Sequence, residues 1–397
     1  MFRFPKGFSL TINHEPLTIK PEVSMINKQR LVDYFLMLAA INSPTRCEKP
    51  VADVLESDLK SLGFNVVRDK AGEKVGGNTG NVIGTKKGNV PNGVPILFSA
   101  HMDTVLPTEG WGYEIKDDVI RSNGKMILGA DDKAGVAAII EALKVIQEEN
   151  IPHSDIQVAF SIGEEVGLYG ARYMDYSLIT SKCVFVYDMG RPVGCVTVVA
   201  PSHDNIIVKI HGKAAHAGAN PEEGVCAVIT ASKAIAKMKL GRIDHETTAN
   251  IGVIKGGTAR NIVPDYCEIK GEARSRNNEK LNAQVEHMVE VFRDAAAEMG
   301  AGVDIQVERS YNTFRLTEDD EVVKIAATAA RRVGIEPELH ETGGGSDASI
   351  FNEKGLPATV IGVGYESPHS VDEYIPIPDF VKSAEMALEI IKVAANG

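Results

Sequence analysis

The chain has 397 residues, more than one ordinary domain holds, so two domains are expected. With 44% hydrophobic and 24% charged residues it can bury a large core, which excludes a wholly disordered chain. Its 54 acidic and 42 basic residues give a formal charge of -12 with no local basic patch, which argues against nucleic acid or an anionic membrane as partner.

Residues 1–24 contain no apolar stretch long enough for a secretory peptide or a membrane span, and read as an N-terminal extension ahead of a more regular segment beginning at Met25. Five scattered cysteines without a Cys-x-x-Cys pair suggest neither a disulfide framework nor a thiolate zinc site, so a reducing, cytoplasmic setting is expected. From Met25 to about Pro201, helical periodicity alternates with short apolar runs, the pattern of an α/β sheet flanked by helices. Residues 95–100, 156–162, 183–187 and 358–364 read as buried strands. After Lys133, Val136, Ile139, Ile140 and Leu143 place an apolar stripe on one side of a helix.

Between about residues 203 and 311 the order becomes β-α-β-β-α-β, the split pattern of a ferredoxin-like unit. The α/β pattern then resumes. The expected organisation is therefore a discontinuous catalytic domain, 25–202 and 312–397, with 203–311 inserted into it. GGNTG (76–80) and GLYG (167–170) lack the spacing of a phosphate-binding loop and read as turns. There is no internal repeat of roughly 20–50 residues.

In open α/β sheets, ligands bind beyond the carboxyl ends of the strands. Here those ends run into His101-Met102-Asp103, Gly163-Glu164-Glu165, Asp188 and a loop containing His369, while Asp131 precedes a helix. Imidazoles and carboxylates without thiolates suit zinc, manganese or cobalt in a hydrolytic site. So many acids on one rim would repel each other without compensating cations, which points to two metals with Asp131 as the bridge between them. Asp103, two residues beyond His101, is better placed to hold the imidazole tautomer than to bind metal. Of Glu164 and Glu165, one can bind metal while the other takes a proton; spacing does not choose between them.

The segments AHMDTV, GADDKAG, GEEVGLYGA, VYDMG, KAAHAGANPEEGV, GGTARNIVPD, GEARS, TGGGSDASIF and SPHSVDE resemble the di-zinc exopeptidase superfamily of aminoacylases, glutamate carboxypeptidases and tripeptidases over nearly the full length from Met25. GADDKAG and HAGANPEEG look most like the peptidase T (tripeptide aminopeptidase) branch. The resemblance implies His101 and Asp188 on one zinc, Glu165 and His369 on the other, Asp131 bridging, Glu164 as general base and Asp103 orienting His101. It further implies a cis peptide between Asp131 and Asp132, and an inserted lid and dimerisation domain. From that domain His216 would reach the other subunit's site, with Asn261 and Arg274 binding substrate and a homodimer as the assembly. The loop Gly343-Gly344-Gly345-Ser346-Asp347 is placed to offer backbone N–H groups.

Taken singly, these residues have plainer readings. Glu164-Glu165 suits the start of a helix, Asp188 an ordinary turn, and His216 the turn into a helix. None of these explains the whole set. The expected activity is release of the N-terminal residue from short peptides, tripeptides foremost, by water that two metal ions activate. The alternatives are a dipeptidase, glutamate carboxypeptidase or aminoacylase, or a catalytically silent peptide-binding scaffold.

Overall fold

The computed structural model describes residues 24–105 and 110–397; apart from Ser24, the N-terminal extension lies outside them. A six-stranded sheet organises the larger part. Its spatial order is Asn65–Arg68, Val82–Lys86, Ile156–Ser161, Ile96–His101, Cys183–Val186 and Ala358–Val360. The first two pairings are antiparallel and the other three parallel. The two central strands, Ile156–Ser161 and Ile96–His101, are buried at every position, as expected of parallel strands covered on both faces.

Helices Lys28–Ala39, Ala130–Glu148 and Ile377–Ala395 pack on one another, and Ala130–Glu148 lies on the strand Ile96–His101. The expected stripe of Val136, Ile139, Ile140 and Leu143 is fully buried there. Within the sheet, Phe98 packs against Phe185 and Tyr187 at ring-centroid distances of 5.9 and 5.8 Å. Truncating Phe98 to alanine would cost roughly 3–5 kcal/mol through the cavity left behind.

The second sheet is antiparallel throughout, in the order Gly241–Arg242, Thr247–Gly256, Tyr266–Ser275, Ser202–His211 and Gly302–Tyr311. With helices Ala227–Lys237 and Asn278–Met299 it completes the β-α-β-β-α-β order, plus one short edge strand. Strand Ser202–His211 buries alternate residues, so Ile206, Val208 and Ile210 meet Leu281, Met288 and Phe292 of the long helix in a core separate from that of the first sheet. Asn277 starts that helix by accepting the N–H groups of Glu279 and Lys280, and left-handed Gly300 ends it.

Three details differ from the sequence reading, the first two in ways that shape the site. The apolar run 358–364 is strand only as far as Val360. At Gly362 a Cβ would stand 2.2 Å from the Pro192 carbonyl oxygen, and Gly364 has φ +93°, so the chain turns off the sheet toward His369. GLYG, read as a turn, is one only at Gly167 and Leu168; Tyr169 and Gly170 already belong to a short helix, Tyr169–Tyr173. Cys195–Ala200, which carries no marked alternation, forms a further strand between Phe314–Arg315 and Glu338–Glu341.

Candidate metal centre and active site

His101 closes its strand and is buried; its backbone N–H is held by Asp132 Oδ2 at 3.0 Å. Its Nε2 stands 3.2 Å from Asp131 Oδ1 and 3.7 Å from Asp188 Oδ1. Asp188 follows the neighbouring strand Cys183–Val186. On the other side of Asp131, Oδ2 lies 3.2 Å from His369 Nε2, which is itself 3.1 Å from the Glu165 carboxylate. Two donor trios result: His101, Asp131 and Asp188, and Asp131, Glu165 and His369, each with ligand atoms within 4.8 Å of one another. Asp131 belongs to both and turns one oxygen to each.

The backbone at this point departs from helix. Asp131 and Asp132 have non-helical angles although they lie within the first turn of Ala130–Glu148, and the peptide between them is cis, as the resemblance implied. Asp103 plays a broader part than expected. It is the Asp103 main-chain carbonyl that lies 2.9 Å from His101 Nδ1, with the carboxylate farther off at 3.5 Å. That carboxylate instead accepts the Glu164 N–H at 3.0 Å and the Thr45 hydroxyl at 2.6 Å. Asp103 therefore positions both the imidazole and the backbone of Glu164.

Burial, reinforced by the charges of Asp131 and Glu165 and opposed by His101, pushes the Asp188 carboxyl well above the usual carboxylate range. Burial and then Asp188 do the same to Glu164. Burial also works against ionisation of Asp131, but its hydrogen bonds with His101 and His369 outweigh it and hold that carboxyl low. Hydrogen bonds with Asp131 and Glu165 push His369 up to about 10. So dense a knot of carboxylates, with oxygen and nitrogen donors and no sulfur, fits two divalent cations, whose charge would draw all of these groups back toward their ligand forms.

The trios open on a cavity of 470 Å³ whose walls include Glu164, Arg274, His203, Tyr311 and Gly345. Arg274 thus faces the metal trios from the inserted sheet. His216 and Asn261 do not line this cavity. They are exposed neighbours on the inserted unit, where Ile262 bridges to His216 and the Ala217 N–H meets the Asn261 carbonyl at 3.0 Å. Gly218 and Ala219 donate to His216 Nδ1, leaving Nε2 as the free donor. In the glycine loop, Ser346 caps the helix Asp347–Glu353 through the Ala348 N–H.

Sequence reasoning missed two supporting residues. Buried Tyr365 places its hydroxyl 3.2 Å from Asp131 Oδ1 and 3.4 Å from Asp188 Oδ1. Buried Glu373 accepts the N–H groups of Gly129 at 2.8 Å and Asp131 at 2.9 Å. The available signal for Glu373 was its place four residues after His369, in SPHSVDE.

Residues 97–393 match the model of peptidase family M20/M25/M40. The chain belongs to this family. Among family structures, it is similar to the crystal structure of aminopeptidase PepT from Bacillus cereus ATCC 10987, with 44% identity and a TM-score of 0.85 over 94% of this chain and all of that one. A tripeptidase from Staphylococcus aureus Mu50 is similar at 42% identity and a TM-score of 0.90, again over 94% of this chain and all of the other. The uncharacterized protein YqjE of Bacillus subtilis (strain 168) is 44% identical over 94% of this chain and its own whole length. The chain is a peptidase of this family, and its likeness to the proteins named aminopeptidase PepT and tripeptidase places it in the PepT branch. No helix among the described residues is long and apolar enough to cross a membrane.

Proposed function

We infer that the protein is a cytoplasmic, homodimeric aminopeptidase that removes the N-terminal residue from short peptides, tripeptides above all, with two metal ions, zinc foremost and cobalt or manganese as substitutes. The observation that carries this reading is the double trio sharing Asp131, with Glu164 on the wall of the same cavity. Similarity above 40% to proteins named aminopeptidase PepT and tripeptidase supports the substrate class.

His101, Asp131 and Asp188 would hold one cation, and Asp131, Glu165 and His369 the other. When bound, the pair supplies Lewis acidity that lowers the pKa of water and polarises the scissile carbonyl. Glu164 takes a proton from the attacking water and passes it to the departing amine. Asp103 holds Glu164 in place through its N–H, at 3.0 Å. Arg274 receives the peptide's carboxylate through its planar fork of donors.

Residues 25–202 with 312–397 form the catalytic domain, and 203–311 the inserted lid and dimerisation domain. His216 and Asn261, exposed and away from their own chain's cavity, serve the partner subunit: His216 donates to the carbonyl oxygen as charge develops on it. A substrate panel tests the activity. Free tripeptides should be cut while their N-acetylated forms resist; preferential cleavage of N-acylated amino acids would overturn the reading in favour of an aminoacylase.

A further inference from the structure

A second cavity, of 320 Å³, adjoins the first. Arg274 lines both, and the glycine loop contributes Gly345 to the first and Gly343 to the second. One side chain and a short piece of backbone therefore separate the second cavity from the one holding the metal trios.

Its lining is basic. Arg242, Arg274, Arg276 and His245 all face it from the inserted unit. The Nε of Arg274 is buried and has no hydrogen-bond partner, while that of Arg276 faces Glu341 Oε2 at 3.5 Å and its two Nη atoms donate to the Glu341 and His245 carbonyls. A buried donor without an acceptor is costly, so the Arg274 Nε points to an acceptor that arrives with a ligand. The exposed Arg242 guanidinium makes no ion pair or hydrogen bond among the described residues. Two acids share the lining, and both already face cations: Glu246 lies 2.7 Å from Lys280 Nζ, and Glu341 lies 3.5 Å from both Arg276 and Arg315. Arg274 meets Glu272 at 3.0 Å through one Nη, so what remains uncompensated is its Nε and the whole Arg242 guanidinium, forked donors that match a carboxylate.

We propose that this cavity is a carboxylate subsite of the peptide cleft, which takes the acidic side chain of a substrate's C-terminal residue while Arg274 takes the main-chain carboxylate. A C-terminal Asp or Glu carries two carboxylates on one residue, and one guanidinium, that of Arg274, stands between the two cavities. The subsite rests on the tripeptide reading and sharpens it toward peptides ending in an acid.

The test compares Ala-Ala-Glu with the isosteric Ala-Ala-Gln in the metal-loaded enzyme. The wild type should favour the acidic peptide in kcat/KM by about tenfold or more, the scale of one hydrogen bond to a charged group. Arg242→Gln and Arg276→Gln should each bring the ratio toward one with turnover of Ala-Ala-Gln little changed. Arg276→Lys, which keeps the charge on a folded chain, should retain part of the preference. Equal kcat/KM for the two peptides overturns the subsite. If the ratio is one but phosphate or glutarate alters turnover of Ala-Ala-Gln, the cavity serves a free anion and the assignment to substrate is overturned. Failure of the wild type to cut either peptide overturns the peptidase reading itself, a result separate from loss of the preference.

Discussion

Buried Glu373 accepts the backbone N–H of Asp131 at 2.9 Å, joining residues 242 positions apart in the sequence. The same carboxylate accepts the Gly129 N–H, so the turn that aims Asp131 at both imidazoles is fixed by a side chain that touches neither of them. Glu373→Ala leaves two buried donors unpaired, at about 1–3 kcal/mol each. We expect metal affinity to fall roughly 10–100-fold, as is typical when a group that orients ligands is lost. Glu373→Gln, which keeps one carbonyl oxygen as acceptor, should fall between the two. Competitive titration with a chromogenic chelator measures this, and wild-type affinity in Glu373→Ala would show that the turn holds without its anchor.

The placing of His216 makes a prediction about subunits. A His216→Ala chain and a Glu164→Gln chain should each be nearly inactive alone, with the second losing roughly 10²–10⁴-fold in kcat. If His216 works in the partner's site, co-refolded mixtures contain heterodimers with one complete site, and activity returns. Mixtures as inactive as the parents would place His216 outside catalysis or confine it to its own chain.

Acid stability should report on Glu272. The His203 imidazole 3.1 Å away, and then the Arg274 guanidinium at 3.0 Å, hold its carboxyl down to about 2, against burial. A depressed carboxylate stabilises the fold above its ordinary pKa near 4.5, and that stabilisation drains away as pH falls from about 4.5 to about 2. The side chain is 36% exposed, so solvent screening keeps the contribution to about 1 kcal/mol or less. The melting-temperature gap between wild type and Glu272→Gln should therefore be open at neutral pH and close on acidification. A gap that persists unchanged at pH 2.5 would assign the effect to packing rather than charge.

Much of this site could be read from the chain because its ligands sit where apolar runs end. His101 ends a buried strand and Glu165 and Asp188 each follow one, positions that the short apolar runs of Ile96–His101, Ile156–Ser161 and Cys183–Val186 make visible. The split order of the inserted sheet was legible for the same reason: strand Ser202–His211 alternates cleanly. Tyr365 and Glu373 were not, since a buried hydrogen-bonding partner leaves no local pattern and reveals itself only when distant segments meet. The division of labour within Asp103, between carbonyl and carboxylate, is likewise a matter of tertiary geometry. The strand Cys195–Ala200 escaped because it runs almost directly into Ser202–His211, leaving no turn to mark its end.

The most direct test of the central claim is metal content. Elemental analysis of protein stripped with chelator and then reloaded with zinc should give two equivalents per chain, and Asp131→Ala, which removes the one residue common to both trios, should retain fewer than one. An unaltered two equivalents in that variant, or a single equivalent in the wild type, would contradict the shared centre.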